Sequence, residues 1–330
     1  MLSLILIALA MFSLFSVEVR VSGAVTPWLT KTEIIQNMKD LCTLHSNIAS
    51  YESIGKTVQG NDIWLFRVGN NTSAKLLIDG ALHGMESPGS HNIYFLFHWL
   101  LGGSPEANIA ISRVQVLLVP IINYDRFTDT GSTVGDPTYR ANAAGVDLNR
   151  NFVKGWALSA IDGGYYSGPY AASEPETQAL RALFASEKPT VYVNMHDYGG
   201  NEATNGDFRA PSYANSNYTA KINELYNCYL SVCQSKGFTG WVKTTTGAFG
   251  SARDDGYNNG ETLSLLVEET QTWGTVKESI TYDLIYNVKA PHLRAFTIAF
   301  SDLCGSAPIP PPPTEENSVS LTISSFGIIG

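Results

Sequence analysis

Short apolar runs alternate with longer helical segments along most of this chain, and this alternation constrains the fold more than any other feature. The runs at 63–68, 76–78, 114–122, 191–195 and 263–267 have the length and composition of β-strands. Segments 32–44, 90–101, 177–186, 218–236 and 280–300 have the apolar spacing or the length typical of helices. The alternation predicts an α/β fold: a single α/β/α domain with a mixed, largely parallel central sheet and helices on both faces.

One helix start carries a local signature of its own. The segment Ser173-Glu174-Pro175-Glu176 has the pattern of a capping box, in which Ser173 and Glu176 satisfy the first amides of a helix reciprocally. Proline is tolerated in that first turn because its missing N–H has no partner there. We therefore assign Glu174 and Glu176 to helix capping.

The composition limits the classes of function. The chain has 330 residues, of which 44% are hydrophobic and 15% charged, so it can bury a substantial core. The formal net charge is −9 with only 21 Lys and Arg residues, which argues against a nucleic-acid partner because phosphate binding needs a basic surface. We therefore expect no nucleic-acid binding.

The two ends of the chain differ from the middle. Residues 1–24 resemble a secretory signal peptide, and an uncleaved membrane anchor is the alternative. We expect residues 25–305 to form the catalytic domain, without stable membrane association, in a secreted or extracellular protein; a lysosome-like or cell-surface location remains an alternative. Residues 306–330 are predicted to be a Pro-rich linker with a short apolar tail. Possible glycan acceptors lie at Asn70, Asn71 and Asn217.

Several cysteine, histidine and glutamate residues are not expected to bind a metal. The four cysteines allow two disulfides in three possible pairings, and no close Cys-x-x-Cys pair favours a thiolate zinc cluster, so we expect structural or buried roles. These cysteines are Cys42, Cys228, Cys233 and Cys304. Glu269 is expected to point away from Glu268 and to be solvated or paired. Four histidines have no metal-like neighbours: His45, His91, His98 and His292.

Polar side chains of metal-binding type follow the predicted strands. His83 and Glu86 are three residues apart just after the run at 76–78, while His196 and Glu268 close two later strands. Ligands bind outside the carboxyl ends of strands in open α/β sheets, and a catalytic zinc takes three ligands from His and Glu with one open position. The pattern predicts a zinc site at this edge of the sheet.

The chain resembles the zinc metallocarboxypeptidases related to carboxypeptidase A. The resemblance covers about residues 31–302 and rests on motifs in the family's order, and only the combination is specific. The motifs are Ile54-Gly-Lys-Thr-Val-Gln-Gly-Asn-Asp-Ile63, His83-x-x-Glu86, Gly145-Val-Asp-Leu-Asn-Arg-Asn-Phe152, Tyr166-Ser-Gly-Pro with Ser173-Glu-Pro-Glu-Thr177, Met195-His196 and Val267-Glu268.

The resemblance implies a Zn²⁺ cofactor and a metal centre. His83, Glu86 and His196 would be the three zinc ligands, with water in the open position. Asp147 would support the centre by orienting His83. Glu268 would be the general base that takes a proton from the zinc-bound water and returns it to the leaving amine.

The same resemblance implies a substrate: the C-terminus of a peptide or protein. Arg140 would polarise the scissile carbonyl and stabilise the oxyanion. Asn149 and Arg150 would hold the terminal carboxylate, since a guanidinium fork suits two oxygens. These roles together imply a secreted carboxypeptidase that removes single residues.

Two positions depart from the family pattern. A gapless alignment places Thr246 where carboxypeptidase A-like enzymes have a mobile tyrosine, and we do not expect Tyr257 to replace it. Arg253 falls at the base of the specificity pocket, where a buried arginine favours an acidic terminal residue. An exposed Arg253 paired with Asp254 or Asp255 is the alternative. Because only a few residues separate the signal from the first helix, we expect no zymogen cleavage.

Two other functions remain open at this point. A zinc amidase, deacylase or cell-wall peptidase can use the same His-x-x-Glu and His set. An inactive homologue that binds peptides without cleaving them is the other alternative. The retained Glu268 and Arg140 argue against inactivity, and the Asn149-Arg150 pair favours an exopeptidase.

Overall fold

The fold was obtained as a computed structural model, which describes residues 28–129, 137–159, 164–197, 206–247, 249–269 and 285–305. The predicted signal peptide and the tail at 306–330 lie outside these residues, as do positions 280–284 of the last predicted helix. None of the described helices is long and apolar enough to span a membrane.

The described strands form one eight-stranded sheet in the order β1-β2-β4-β3-β5-β8-β6-β7. The strands are β1 (Ala49–Lys56), β2 (Asp62–Val68), β3 (Lys75–Asp79), β4 (Gln115–Val119), β5 (Val191–His196), β6 (Asp207–Pro211), β7 (Val242–Thr246) and β8 (Leu263–Glu268). The central strands β4, β3, β5 and β8 run parallel, and antiparallel pairs join β1 to β2, β2 to β4 and β6 to β8. The sheet is therefore mixed, as the sequence predicts.

Helices precede the first strand, follow the last and connect several of the strands between them. They are α1 (Lys31–Leu44), α2 (Ser87–Leu101), α3 (Pro105–Arg113), α4 (Pro137–Arg140), α5 (Pro175–Glu187), α6 (Ser216–Ser235), α7 (Ala252–Gly256) and α8 (Ala290–Cys304). A π-helical turn, Ile285–Lys289, leads into α8, and Pro291 lies in the first turn of that helix, where proline is tolerated.

The core lies on both faces of the sheet because neighbouring residues of a strand point to opposite sides. In β3, Leu76 and Ile78 pack into the larger apolar cluster with α1, α2, α6 and α8. Leu77, between them, packs into a second cluster with α5. Both faces are thus covered by helices, which confirms the predicted fold class.

The sequence pattern misses the elements whose residues are not uniformly apolar. β1 exposes most of its side chains, and β7 is an edge strand with three threonines, so neither shows an apolar run. α3 has only nine residues. β6 contains Asp207, Arg209 and Pro211, which hide its strand character.

The predicted capping box is wrong. α5 begins at Pro175, and neither its N-cap residue Glu174 nor Ser173 caps a helix amide. The Ser173 hydroxyl donates to Glu174, while the Glu176 carboxylate accepts from the amide of Val58 and from Asn142. Long-range partners therefore replace the local ones that the motif predicted.

All four cysteines are free thiols, so none of the three possible pairings forms. Cys42 and Cys233 are buried, and Cys228 and Cys304 are partly buried. Burial raises the pKa of Cys42 and of Cys304 to about 11, which keeps both thiols protonated and unreactive near neutral pH.

Candidate metal centre

The carboxyl ends of three neighbouring parallel strands bring the predicted site residues together. The loop after β3 carries His83 and Glu86, and Glu86 immediately precedes α2. His196 is the last residue of β5, and it lies directly opposite Glu268, the last residue of β8. From β3 the chain continues to β4 on one side of it, and β5 is then added on the other side. Open α/β sheets bind ligands at such a switch point.

His83, Glu86 and His196 form a compact buried cluster. Nδ1 of His83 lies 2.8 Å from Oε1 of Glu86, and Nδ1 of His196 lies 2.7 Å from Oε2 of the same carboxylate. One donor atom from each residue falls within 4.8 Å of the others, and among the described residues this is the group able to hold a metal ion. Two imidazoles and a carboxylate are a donor set that suits Zn²⁺.

The outward ring nitrogens of both histidines have fixed partners. Nε2 of His83 lies 3.0 Å from Oδ1 of Asp147, and Nε2 of His196 lies 2.7 Å from Oδ1 of Asn194. Asn194 donates its amide to Asp79, so its oxygen is left to accept from His196. Each histidine can therefore carry its proton on Nε2 and keep Nδ1 for a metal.

Electrostatics around the cluster favour a charged carboxylate pair. Burial raises the pKa of Glu86, but His83 and His196 outweigh it and hold that pKa well below its usual range. Burial likewise raises the pKa of Asp147, and Arg140 and His83 together reverse the shift. For His83, burial and Arg140 lower the pKa, yet Glu86 and Asp147 leave it above its ordinary value. Glu86 and Asp147 are therefore both ionised beside the two imidazoles.

Gly84 allows the ligand loop to take its path. A Cβ built on Gly84 would lie 2.2 Å from the carbonyl oxygen of Arg126, so any side chain would push the loop outward. The backbone packs there because the amide of Thr128 donates to the carbonyl of Gly84 and the amide of Met85 donates to that of Tyr139. The residue between the ligands is thus fixed by backbone contact.

A cavity of about 210 Å³ opens beside this cluster. Eight of the nine sequence-predicted site residues line it: His83, Glu86, Arg140, Asn149, Arg150, His196, Arg253 and Glu268. The ninth, Asp147, is fully buried behind His83 and accepts from Nε of Arg140 at 2.9 Å. The structure therefore brings all nine into one place.

The predicted substrate-binding residues differ in how many hydrogen bonds they already make within the protein. Nη1 of Arg150 donates to the carbonyl of Asn149 at 2.8 Å, and within the described residues the guanidinium of Arg150 forms no ion pair. The Asn149 side chain accepts from the amide of Ala252, which ties it to the start of α7. Arg150 thus keeps most of its N–H groups available for an anion in the cavity.

Arg253 combines features of both predicted alternatives. Its side chain is only 2% exposed, as the pocket interpretation requires, and it also pairs with Asp254. Nη1 donates to the Thr246 hydroxyl and Nη2 to the carbonyl of Gly247. Thr246, at the end of β7, therefore helps to hold Arg253 in the cavity wall.

Tyr257 does not take the place of the missing tyrosine. It is 4% exposed, its hydroxyl accepts from the amide of Asn215, and it is absent from the residues that line the cavity. The aromatic side chain at the cavity is Phe249, which is 57% exposed. The sequence-based rejection of Tyr257 agrees with this arrangement.

Glu269 is paired rather than solvated. It is fully buried, and its Oε1 accepts from Asn92 of α2. Burial raises its pKa to about 7. Its neighbour Glu268 instead reaches the cavity.

The sequence reasoning missed five cavity residues: Asp197, Arg209, Phe249, Ser251 and Leu266. Arg209 is the cation among them, and it contacts Glu268 directly. It belongs to β6, where Asp207 and Arg209 alternate with buried Phe208 and Ala210. That period of two was the signal that could have identified both the strand and the residue.

Buried His/Glu/His donors at the carboxyl edge of a parallel sheet, beside a polar cavity, are typical of single-metal hydrolases. A family model described as zinc carboxypeptidase matches residues 34–302, and the chain belongs to that family. The members of this family are zinc-dependent metallocarboxypeptidases.

Similar proteins carry the same designation. Carboxypeptidase B of Astacus astacus is 27% identical over 188 residues, covering 50% of this chain and 60% of that protein. Human carboxypeptidase A6 is 27% identical over 188 residues, covering 50% of this chain and 42% of that protein. The chain thus matches less than two thirds of the length of these relatives.

Solved structures share the fold. Carboxypeptidase A from Helicoverpa armigera superimposes with a TM-score of 0.69 at 18% identity, covering 83% of this chain and 74% of that one. Thrombin activatable fibrinolysis inhibitor has the same TM-score at 16% identity, with 85% and 75% covered. At these identities the similarity establishes the fold.

Proposed function

We propose that this protein is a secreted zinc metallocarboxypeptidase that hydrolyses single residues from peptide C-termini and prefers acidic terminal residues. The observation that carries the proposal is the meeting of His83, Glu86 and His196 in one cavity with Glu268. Family membership supports the reaction class. Residues 1–24 and the exposed sequon asparagines support secretion.

Each residue has a task in this reaction that its surroundings support. His83, Glu86 and His196 would hold the zinc ion, which would lower the pKa of a water molecule and polarise the scissile carbonyl. Glu268 would accept a proton from the attacking water and deliver it to the leaving amine.

Two arginines would handle the negative charges of the substrate. Arg140 is anchored to Asp147 through Nε, and its Nη atoms have no hydrogen-bond partner among the described residues, so they can donate to the developing oxyanion. Arg150, with Asn149 beside it, would bind the terminal carboxylate, which confines cleavage to the last peptide bond.

The preference for acidic termini rests on the charge of the cavity. Arg150 and Arg253 line it in addition to Arg140, whereas Phe249 and Leu266 are its apolar side chains. A carboxylate side chain at the peptide terminus would be stabilised there by charge-assisted hydrogen bonds. Because Asp254 offsets part of the charge of Arg253, we expect a preference rather than strict selectivity.

The reaction is tested by comparing wild type with Glu268→Gln on blocked dipeptides ending in Glu, Phe or Lys, with zinc content measured in parallel. We expect Glu268→Gln to retain zinc and to lose about 10²- to 10⁴-fold in kcat. Exposed Glu261→Gln is the matched control and should cleave normally. Hydrolysis that survives in Glu268→Gln would contradict the mechanism.

Two further comparisons separate the alternatives. C-terminally amidated peptides should resist cleavage if Arg150 reads the terminal carboxylate, whereas an amidase would cleave them. For the acidic preference, Arg253→Ala should reduce cleavage of the Glu-ended dipeptide more than that of the Phe-ended one. An unchanged substrate profile would refute the role of Arg253.

A further inference from the structure

Two carboxylates of the cavity region lie directly opposite each other on adjacent strands. β6 and β8 are antiparallel, with Asp207 opposite Glu268 and Arg209 opposite Leu266. Residues opposite each other share a face of the sheet, and so do residues two apart on one strand. Like charges directly opposite are destabilising in a sheet, so Asp207 and Glu268 need a cation between them.

Arg209 is that cation. Its Nη2 lies 3.1 Å from Oδ2 of Asp207, and its Nη1 lies 3.3 Å from Oε1 of Glu268. The side chains of the three residues are 23%, 11% and 13% exposed for Arg209, Asp207 and Glu268. An ion pair this shielded is screened less by salt than one on the open surface.

The position of Arg209 in the sheet also fixes the orientation of its contact with Glu268. Arg209 lies in the middle of β6, opposite Leu266, which is two residues before Glu268 in β8. Asp207 binds Nη2 of the Arg209 guanidinium. Because the guanidinium is planar and Asp207 fixes its Nη2, the position of Nη1 is restricted as well. The Glu268 oxygen that binds Nη1 is restricted with it. Glu268 is in turn level with His196 in the sheet.

We propose that Arg209 is a positioning residue that fixes the carboxylate of Glu268 toward the metal centre, with Asp207 as its anchor. The inference deepens the proposed function and rests on Glu268 being the base of that reaction. A base must lie within hydrogen-bond reach of the proton it takes, so a misoriented Glu268 slows the chemical step without weakening substrate binding.

The kinetic test compares Arg209→Met and Arg209→Lys with wild type on blocked dipeptides ending in Glu and in Phe. Arg209→Met should lower kcat about tenfold or more on both substrates and leave KM within about twofold, because the contact acts on the base. Arg209→Lys should recover part of the loss, and zinc content should stay unchanged. Arg181→Met, which removes an ion pair with Asp255 outside the metal-centre cavity, is the control.

Two kinetic outcomes overturn the proposal. If the loss is confined to the Glu-ended substrate and appears in KM, Arg209 binds the substrate side chain instead of positioning the base. If both substrates are cleaved by Arg209→Met at the wild-type rate, the contact has no function in the reaction.

A thermal unfolding cycle tests the contact without activity. Arg209→Met should lower the melting temperature of the zinc-loaded protein by about 2 °C more in the wild-type background than in Glu268→Gln, where the carboxylate charge is absent. Equal shifts in both backgrounds would overturn the pairing of Arg209 with Glu268. A wild-type protein that binds zinc and hydrolyses none of the peptides would refute the proposed function, while this cycle would still decide on the contact.

Discussion

Asp147 accepts a hydrogen bond from Nε2 of His83 over 3.0 Å, and this contact selects Nδ1 of His83 as the ring nitrogen that faces Glu86. Asp147 is itself held by Nε of Arg140 and accepts from the amide of Asn149. The metal ligand, the proposed oxyanion donor and the proposed carboxylate anchor therefore share one buried carboxylate.

We expect Asp147→Asn to weaken zinc binding about 10- to 100-fold, because the amide cannot supply the negative charge that strengthens His83 as a ligand. Competition with a zinc chelator measures the change. Asp40→Asn on α1, where the carboxylate accepts from Gln36 far from the metal centre's residues in the chain, is the matched control and should bind zinc as wild type does. Equal zinc affinity of Asp147→Asn and wild type would show that the contact does not tune the metal.

Gly84→Ala should weaken zinc binding because the new methyl group would sit 2.2 Å from the carbonyl oxygen of Arg126 and displace the loop between His83 and Glu86. Chelator competition and thermal unfolding separate binding from stability. In the control Gly103→Ala the added Cβ meets no described residue within 4 Å apart from its chain neighbours, and the positive φ of Gly103 costs about 1 kcal/mol of stability. Zinc affinity should fall in Gly84→Ala and stay unchanged in the control.

The metal centre could be predicted from the sequence because its residues follow or close strands that are recognisable as short apolar runs. The runs ending at His196 and Glu268 are mostly apolar, with one polar residue inside each, so the charged or imidazole residue that closes each run stands out. His83 follows a third such run. The pocket wall could not be predicted in the same way, because Arg209 lies in a mixed five-residue strand and its partner Asp207 becomes a neighbour of Glu268 only through sheet pairing.

The failed capping box shows the limit of local motifs. The spacing of Ser173 and Glu176 fits a capping box, but Glu176 is fully buried and accepts from Val58, 118 positions earlier in the chain. A tertiary partner that satisfies a buried carboxylate outweighs a local contact at a helix end, since leaving the carboxylate unpaired costs more. No sequence-local pattern contains that information.

His91 should make the protein less stable as the pH falls from about 6.5 to about 4. Its Nδ1 donates to the carbonyl of Ser87 and its Nε2 accepts from the amide of Leu29, so the folded state requires the neutral ring. Burial lowers its pKa to about 4, whereas the unfolded chain takes up the proton near 6.5. This residue alone then costs about 3 kcal/mol of unfolding free energy at acid pH.

The test is the free energy of unfolding by urea at pH 7 and pH 4.5 for wild type and His91→Gln. The variant should lose less stability between the two pH values, because glutamine takes up no proton. Partly buried His45→Gln is the control and should keep the wild-type pH dependence. A pH dependence of His91→Gln identical to that of wild type would contradict the assignment.

Asp254 partly neutralises the charge of Arg253 and so limits its electrostatic interaction with a substrate. Nε and Nη2 of Arg253 both donate to Oδ1 of Asp254, and both side chains are nearly inaccessible to solvent. Removing the charge of Asp254 leaves a buried guanidinium without its counter-ion. An acidic side chain of the substrate can then take that role.

We therefore expect Asp254→Asn to raise the ratio of kcat/KM for Glu-ended over Phe-ended dipeptides, by about tenfold if the acidic side chain recovers about 1.4 kcal/mol of charge interaction. The variant should also be less stable by about 3 kcal/mol without substrate, since a buried charge loses its partner. Asp255→Asn is the matched control, because Asp255 pairs with Arg181 outside the metal-centre cavity and should leave the ratio unchanged. A ratio that does not rise in folded, zinc-loaded Asp254→Asn would mean that Arg253 holds the cavity wall together and does not face the terminal side chain.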